Sequence, residues 1–349
     1  MDDTFGNETE ANHAPAEHPT IRRGRIGVLL VNLGTPDAPT AKAVRRYLAE
    51  FLSDKRVVDL PRALWLPILH GVILNVRPAL TAKNYAKIWD SETNESPLRK
   101  FTRNQATGLG ERIDARNVVI DWAMRYGVPS IADRLSALKD SGCDRILVIP
   151  LYPQYSATTT ASVVDGVSHA LLKMRWQPAI RIAPAFHDEP AYIDALAGVY
   201  ERWLETIDWA PERVILSFHG LPQRYFKAGD PYHCHCAKTA RLLREKLGWS
   251  EEFAPLAFQS KFGREPWLEP ATDAMIEELG AAGVKNLAVM MPGFVADCIE
   301  TLEEIDIAAR ETFLAAGGQF FGAIPCLNDA PEMIALLERL ARRETAGWL

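Results

Sequence analysis

Near-continuous apolar runs recur along the chain: IGVLLVNL (26–33), NVVIDWAM (117–124), RILVIPL (145–151), RVILSF (213–218), FAPLAF (253–258) and NLAVMM (286–291). Runs that barely alternate between apolar and polar positions belong to strands buried on both faces of a parallel sheet, so each is predicted as such a strand. The segments between them carry helical periodicity. PSIADRLSALKDSG (129–142) and ATDAMIEELGAAG (271–283) are the clearest cases, and each closes on a glycine suited to the position just past a helix end. Strand–helix alternation of this kind predicts an α/β, doubly wound fold.

The two halves of the chain echo each other. The first strand runs into Gly34-Thr35-Pro36 and the fourth into Gly220-Leu221-Pro222, while GCDRILVIP (142–150) resembles GVKNLAVMMP (283–292). A duplicated parallel-sheet lobe accounts for this, with lobes at 24–185 and 186–349 and a last helix able to pack back on the first lobe. The expected site is the cleft where the carboxyl ends of strands from both lobes converge.

At 349 residues, 48% hydrophobic and 24% charged, the composition is that of a globular enzyme-sized protein, and the length favours two lobes over one core. The net charge of −6 sits mostly at the front: the first twenty residues hold five acids and no Lys or Arg, so the remainder carries −1. Residues 1–23 read as a disordered acidic tail, and the first twenty lack the basic and apolar features of a secretory signal or transit peptide. The absence of a Lys/Arg-rich run argues against nucleic acid. Five cysteines do not suggest a disulfide framework, which makes the cytoplasm the default compartment. The most apolar long stretch, ALWLPILHGVILNV (63–76), is short for a bilayer span. Flanked by Arg62 and Arg77, it reads as a partly buried core helix or an interfacial segment.

The chain lacks G-x-G-x-x-G after a strand, G-x-x-x-x-G-K-[ST], G-x-S-x-G and H-E-x-x-H, so nucleotide-binding, serine-hydrolase and zincin chemistry lose their anchors. What stands at the strand ends is different. His219, in SFHGLP, closes an apolar strand and is expected to face the cleft. Asp297, Glu300 and Glu304, at i, i+3 and i+7, would share one helix face; three acids there repel one another and call for a cation or a protonated member. Helix capping would explain Asp297 and Glu300 but not Glu304. Arg125 and Tyr126 after the second strand, YPQYSATTT (152–160) after the third, and Trp267 suit an anionic, planar aromatic ligand.

These residues lie within strings that resemble the ferrochelatases: VNLGTPDAP (31–39), FLSD (51–54), LYPQYSATTT (151–160), LSFHGLPQRYFKAGDPY (216–232), FQSKFGREPWLEPATD (258–273) and ADCIETLEEID (296–306), in that order. The likeness runs from about Gly24 to Leu349. It implies two Rossmann-like lobes around a porphyrin cleft, and a lyase that inserts ferrous iron into protoporphyrin IX to give protohaem in the terminal step of haem biosynthesis. On the matching positions, His219 and Glu300 would be the catalytic and metal-meeting pair, and Asp297 and Glu304 would belong to an acidic path for iron or protons. Asn32, Leu33, Tyr85, Arg125, Tyr126 and Trp267 would line the porphyrin pocket. Position 33 is Met in the animal enzymes and Leu here, which keeps an apolar wall. Where those enzymes carry His and an acid, this chain has Cys298 and Ala308, which shortens the acidic path.

The chemistry suits these residue types, because metallation removes two pyrrole protons while iron is delivered and released. One neutral imidazole and a nearby carboxylate make a weak, open site rather than a trap. The resemblance also implies that residues 63–87 form an apolar lip at the pocket mouth, with a peripheral contact to the inner membrane surface. Some members of the family hold a 2Fe-2S cluster. Here Cys234 and Cys236 in HCHCAK, with two of Cys143, Cys298 and Cys326, could supply ligands only if the fold gathers them. Two other readings are a haem carrier, which would bind without turnover, and a chelatase acting on coproporphyrin III. The sequence fixes no oligomeric state.

Overall fold

The computed structural model describes residues 24–113 and 116–348, together with His18. Apart from His18, the expected acidic tail lies outside the described residues. All six apolar runs form strands, and two short strands join them. β1 (Arg25–Gly34), β2 (Val118–Tyr126), β3 (Cys143–Pro150) and β4 (Ala179–Ile182) make a parallel sheet in the order β2-β1-β3-β4. β5 (Arg213–His219), β6 (Leu256–Gln259), β7 (Asn286–Met290) and β8 (Phe320–Ala323) make a second parallel sheet in the order β6-β5-β7-β8. The two orders are the same pattern, as a duplication requires. In each, the chain leaves its first strand in one direction and returns on the other side, so each sheet has a switch point at the carboxyl ends of its two central strands.

The helices are α1 (Ala41–Ser53), α2 (Arg62–Ile68), α3 (Leu74–Ile88), α4 (Pro97–Arg112), α5 (Ile131–Asp140), α6 (Ser162–Leu171), α7 (Pro190–Leu204), α8 (Gln223–Lys227), α9 (Tyr232–Leu247), α10 (Thr272–Ala281), α11 (Arg310–Ala315) and α12 (Pro331–Glu344). Three π-helical stretches adjoin them, Leu69–Ile73, Ala157–Ala161 and Glu300–Ala309. The predicted helix ends are present: Gly142 and Gly283 follow α5 and α10 closely with φ of 98° and 96°.

The central strands are apolar throughout because both faces are covered. From β1, Val28 and Leu30 enter a large core lying between the two sheets, while Leu29 and Val31 face an outer core with α5 and α6. In β5, Val214, Leu216 and Phe218 reach the same shared core, and Ile215 faces an outer core that includes Ile276 of α10 and Phe313 of α11. α12 inserts Met333, Leu336, Leu337 and Leu340 into the shared core and touches α4 and β3 as well as α7. Arg145 and Arg181 then hold the carbonyls of Trp348 and Glu344 at 3.1 and 2.7 Å.

The apolar run at 63–76 extends further than the sequence suggested. α2, the π turn and α3 form one helical stretch, Arg62–Ile88, of 27 residues, long and apolar enough by length and composition to cross a membrane. Leu69, Leu74, Ala82 and Tyr85 are buried, packing with Leu52 and Val44 of α1. Leu64, Ile68, Val72, Val76 and Leu80, four residues apart, are exposed to between 41% and 68%. The segment is therefore amphipathic, with a bare apolar stripe on its outer side.

Candidate active site

A cleft of about 990 Å³, counted to its open mouth, lies where the two switch points meet. The first sheet contributes the end of β1, with Asn32, Leu33 and Thr35, and the segment after β3, with Tyr152, Gln154 and Thr159. From the second sheet come His219 at the end of β5 and, after β7, Phe294, Cys298 and Glu300. Tyr47, Phe51 and Tyr85, from α1 and α3, close the side. The walls are mostly apolar and aromatic with few polar groups, the character of a small-molecule site.

β1 ends sharply because Gly34 sits at φ 118° with Tyr126 O only 1.9 Å from where a Cβ would stand. No other residue fits, and the close approach seats Asn32 and Leu33 at the cleft. The Asn32 amide is held at both ends: Nδ2 donates to Thr102 Oγ1 at 3.0 Å and Oδ1 accepts from Leu33 N at 2.9 Å. Tyr85 is 6% exposed, and burial pushes its phenol pKa well up, so it stays neutral. The Tyr152 hydroxyl is buried with no hydrogen-bond partner among the described residues.

His219 Nδ1 lies 2.6 Å from Gly220 O. A carbonyl only accepts, so Nδ1 carries a proton, and the neutral form of the ring has its lone pair on Nε2. Glu300 is positioned through its backbone. Gln259 Nε2 donates to Glu300 O at 2.9 Å, and Gln259 Oε1 accepts from Ser217 Oγ at 2.9 Å, which contacts Thr272 Oγ1 at 2.8 Å. Glu304, four residues along the π-helical stretch and not among the residues that line the cleft, accepts from Ser260 N at 2.7 Å and Ser260 Oγ at 2.6 Å. Ser260 reaches it with a left-handed φ of 64°, a strained conformation for a residue other than glycine. Burial raises the Glu304 pKa; the Ser260 bonds and His219 oppose that rise and Glu300 adds to it, so these three ionisable groups sense one another. π-helical segments are rare and concentrate at functional sites. Gln259 and Ser260 were not among the sequence candidates, although two polar residues directly after an apolar strand were a readable signal.

Four other candidates stand elsewhere. Asp297 precedes the helix instead of sharing its face. Its carboxylate accepts from Thr301 Oγ1 at 3.0 Å, Cys326 N at 3.3 Å and Asn328 Nδ2 at 2.6 Å, and it does not line the cleft. The capping pattern read from Asp297 and Glu300 does not form: the helix starts after Ile299 with no side-chain cap, and Asp297 meets the Thr301 hydroxyl instead. Arg125 and Tyr126 lie behind the cleft wall. Arg125 Nη2 donates to Asp54 Oδ2 at 2.6 Å and Nε to Ser162 O at 2.8 Å, and Tyr126 OH donates to the same Asp54 oxygen at 2.7 Å. Burial alone would raise the Asp54 pKa, but bonds from Ser162, the Arg56 amide and Tyr126, with the Arg125 charge, hold it below its ordinary value. Arg125 is thus already paired with an anion of this chain. Trp267, 3% exposed, packs behind the His219 turn, where a Cβ on Gly220 would meet its ring at 3.1 Å.

The cysteines do not gather. Cys234 is exposed on α9, whereas Cys236 is buried in the shared core and Cys298 in a separate cluster. Cys326 is buried beside Asp297, and Cys143 lies in the outer core of the first sheet. Burial raises the thiol pKa of Cys236, Cys298 and Cys326, the reverse of what a ligating thiolate needs. Among the described residues no group of three or more His, Cys, Asp or Glu is placed to hold a metal ion, so the donor set does not fit a 2Fe-2S cluster.

Two parallel sheets of matching order, meeting at a cleft between their switch points, define a chelatase-like fold. The fold resembles SirB from Bacillus subtilis solved with Fe3+ (TM-score 0.55, 14% identity, 93% of this chain and 96% of that one). It likewise resembles the sirohydrochlorin chelatase SirB from Bacillus subtilis subspecies spizizenii in complex with cobalt (TM-score 0.53, 13% identity, 92% and 95%). The ferrochelatase family model matches residues 25–345. Ferrochelatases from Rhizobium meliloti (57% identity, 96% of this chain, 99% of the relative) and Allorhizobium ampelinum (56%, 97% and 98%) match almost end to end. The chain belongs to the ferrochelatase family.

Proposed function

We propose that this ferrochelatase inserts Fe²⁺ into protoporphyrin IX at the cleft between the two sheets, giving protohaem, with His219 and Glu300 as the working pair. The observation that carries the reading is a lone-pair-bearing imidazole and a carboxylate facing the same aromatic-walled cleft. The macrocycle loses two pyrrole protons as the metal enters. His219 Nε2 can accept a proton because Nδ1–H is committed to Gly220 O, and a carboxylate near the charge that develops stabilises the imidazolium. Glu304, its pKa raised by burial, is a better proton acceptor than an ordinary carboxylate and is fixed for that role by Ser260. Iron is substrate here and must leave as product, so an imidazole and a few carboxylates serve better than a closed ligand cage. Tyr85, Tyr152, Phe294 and Leu33 supply ring-face contacts whose binding energy can pucker a flat porphyrin and expose its nitrogen lone pairs.

The bare stripe Leu64–Ile68–Val72–Val76–Leu80 supports a peripheral contact of a cytoplasmic protein with the inner membrane surface, through which an apolar porphyrin reaches the cleft. A division into lobes at 185/186 is supported by its position between the last strand of the first sheet and the first strand of the second. Anaerobic turnover with Fe²⁺ and either protoporphyrin IX or coproporphyrin III tests the substrate. The expected result is catalytic haem formation with protoporphyrin IX as the better substrate. Preference for coproporphyrin III would overturn that assignment, and stoichiometric binding without turnover would overturn the enzyme.

A further inference from the structure

The segment that runs from the end of β3 into the second π-helical stretch carries three cleft residues, Tyr152, Gln154 and Thr159, on the first lobe. Four consecutive residues within it are tied to the second lobe. Gln154 Nε2 donates to Thr239 Oγ1 and to Pro292 O, each at 3.1 Å. Tyr155 N donates to His235 Nδ1 at 3.1 Å. Ser156 Oγ and Ala157 N donate to Asp230 Oδ2 at 3.0 and 2.7 Å, while Asp230 Oδ1 accepts from Tyr232 N at 3.0 Å. Thr239, His235 and Tyr232 all belong to α9, and Tyr232 lines the opposite wall of the cleft.

The His235 ring is itself held. It stacks on His187 with centroids 3.6 Å apart and planes 7° from parallel, which aims Nδ1 at the Tyr155 amide. Because that amide can only donate, Nδ1 carries no proton, and burial, which depresses the pKa of both imidazoles, keeps it so. Asp188 and Lys238, paired with each other beside the stack, and Asp230 on the loop before α9 are the charged neighbours. His187 and His235 are absent from the list of catalytic candidates and take no part in the chemistry above.

We propose that residues 154–157, with Asp230, His235 and Thr239, form an interlobe clamp that sets the width of the cleft, and that His235 is a positioning residue for porphyrin binding. Separating the lobes along this edge breaks all five bonds that cross between them together, so the Tyr152–Thr159 wall cannot drift from Tyr232 and His219 while the clamp is closed. The inference rests on the cleft being the porphyrin site.

Two substitutions separate the acceptor from the ring. His235→Phe keeps the stack on His187 and removes the acceptor; His235→Asn removes the stack and places an acceptor oxygen close to Nδ1. With full-length protein, Fe²⁺ and protoporphyrin IX, His235→Phe is expected to raise the porphyrin KM about tenfold, with kcat and the iron KM within about threefold, and His235→Asn to recover most of that loss. A porphyrin KM within twofold of wild type in His235→Phe, or equal impairment in both variants, would overturn the clamp. Should His235→Phe fail to fold, hydrogen exchange on the wild-type protein decides. The Tyr155 and Ala157 amides are expected to exchange at least about a thousandfold slower than in an unstructured peptide, and exchange within tenfold of the peptide rate overturns it. Leu33→Trp, which fills the cleft without touching the clamp, keeps the two claims apart: normal porphyrin affinity in that variant refutes the site, not the clamp.

Discussion

Removing the Asp54 carboxylate tests where Arg125 works. That carboxylate accepts from Arg125 Nη2, Tyr126 OH and Ser162 Oγ through Oδ2 and from Arg56 N at 2.8 Å through Oδ1, with the Asp54 and Arg125 side chains only 10% and 17% exposed. Breaking a mostly buried, hydrogen-bonded pair from one side costs about 3–5 kcal/mol, because the remaining charge and donors are left without partners. Asp54→Ala is therefore expected to lose about 3 kcal/mol, and Arg125→Leu a comparable amount. The double variant should lose clearly less than their sum, with a coupling of about 1.5–3 kcal/mol. Urea unfolding followed by near-ultraviolet circular dichroism gives all four corners of the cycle. The pH dependence adds a signed check. The folded pKa of Asp54 lies below its unfolded value of 3.8, so its contribution is complete above that value and is lost as pH falls through the folded pKa. The gap between wild type and Asp54→Ala should thus narrow in acid. Additive single losses, or a gap that does not narrow, would refute the network and return Arg125 to the list of groups free to meet a porphyrin carboxylate.

Glu304→Gln should reverse a pH trend. Its folded pKa is raised above the unfolded 4.5, so the folded state holds its proton longer and wild-type stability relative to the Gln variant should fall as pH rises past 4.5; a flat difference from pH 4 to 7 counts against the buried Glu304 site. Gly34→Ala, which forces a Cβ to 1.9 Å from Tyr126 O at φ 118°, should cost about 3 kcal/mol or more, read as a lowered unfolding midpoint or insoluble protein, and a stable variant would contradict the tight end of β1. Val72→Glu with Val76→Glu, at positions 58% and 68% exposed, should abolish co-sedimentation with lipid vesicles while leaving turnover in detergent unchanged; retained vesicle binding would remove the stripe from the membrane contact.

The central strands were legible because both of their faces are buried, which writes an apolar run into the sequence without reference to the partner strand. β4 (AIRI) and β8 (FFGA) escaped because four residues on a sheet edge need no such run. The strand at 253–258 begins only at Leu256, just after Pro255. His219 and Glu300 were readable from their place at strand and helix ends. The partners of Arg125, Tyr126 and Asp297 were not. Position at a strand end says that a side chain reaches the carboxyl edge, but Asp54 is 71 residues from Arg125 and Asn328 is 31 from Asp297, and only the folded chain reveals those pairings. π-helical geometry was likewise hidden, since it lies in which carbonyl each amide reaches and not in residue type. The HCHC string suggested metal by composition. The fold divides it, sending Cys236 into the core and His235 onto the Tyr155 amide.

The central claim is that His219, with its free Nε2, carries the metallation chemistry and not the binding of porphyrin. Anaerobic single-turnover haem formation by wild type and His219→Ala, measured beside the fluorescence-quenching affinity for protoporphyrin IX, tests it most directly. The expected result is a loss of about 100-fold or more in rate with porphyrin affinity within threefold. A variant that retains the wild-type rate, or that loses rate only as far as it loses affinity, would contradict the account.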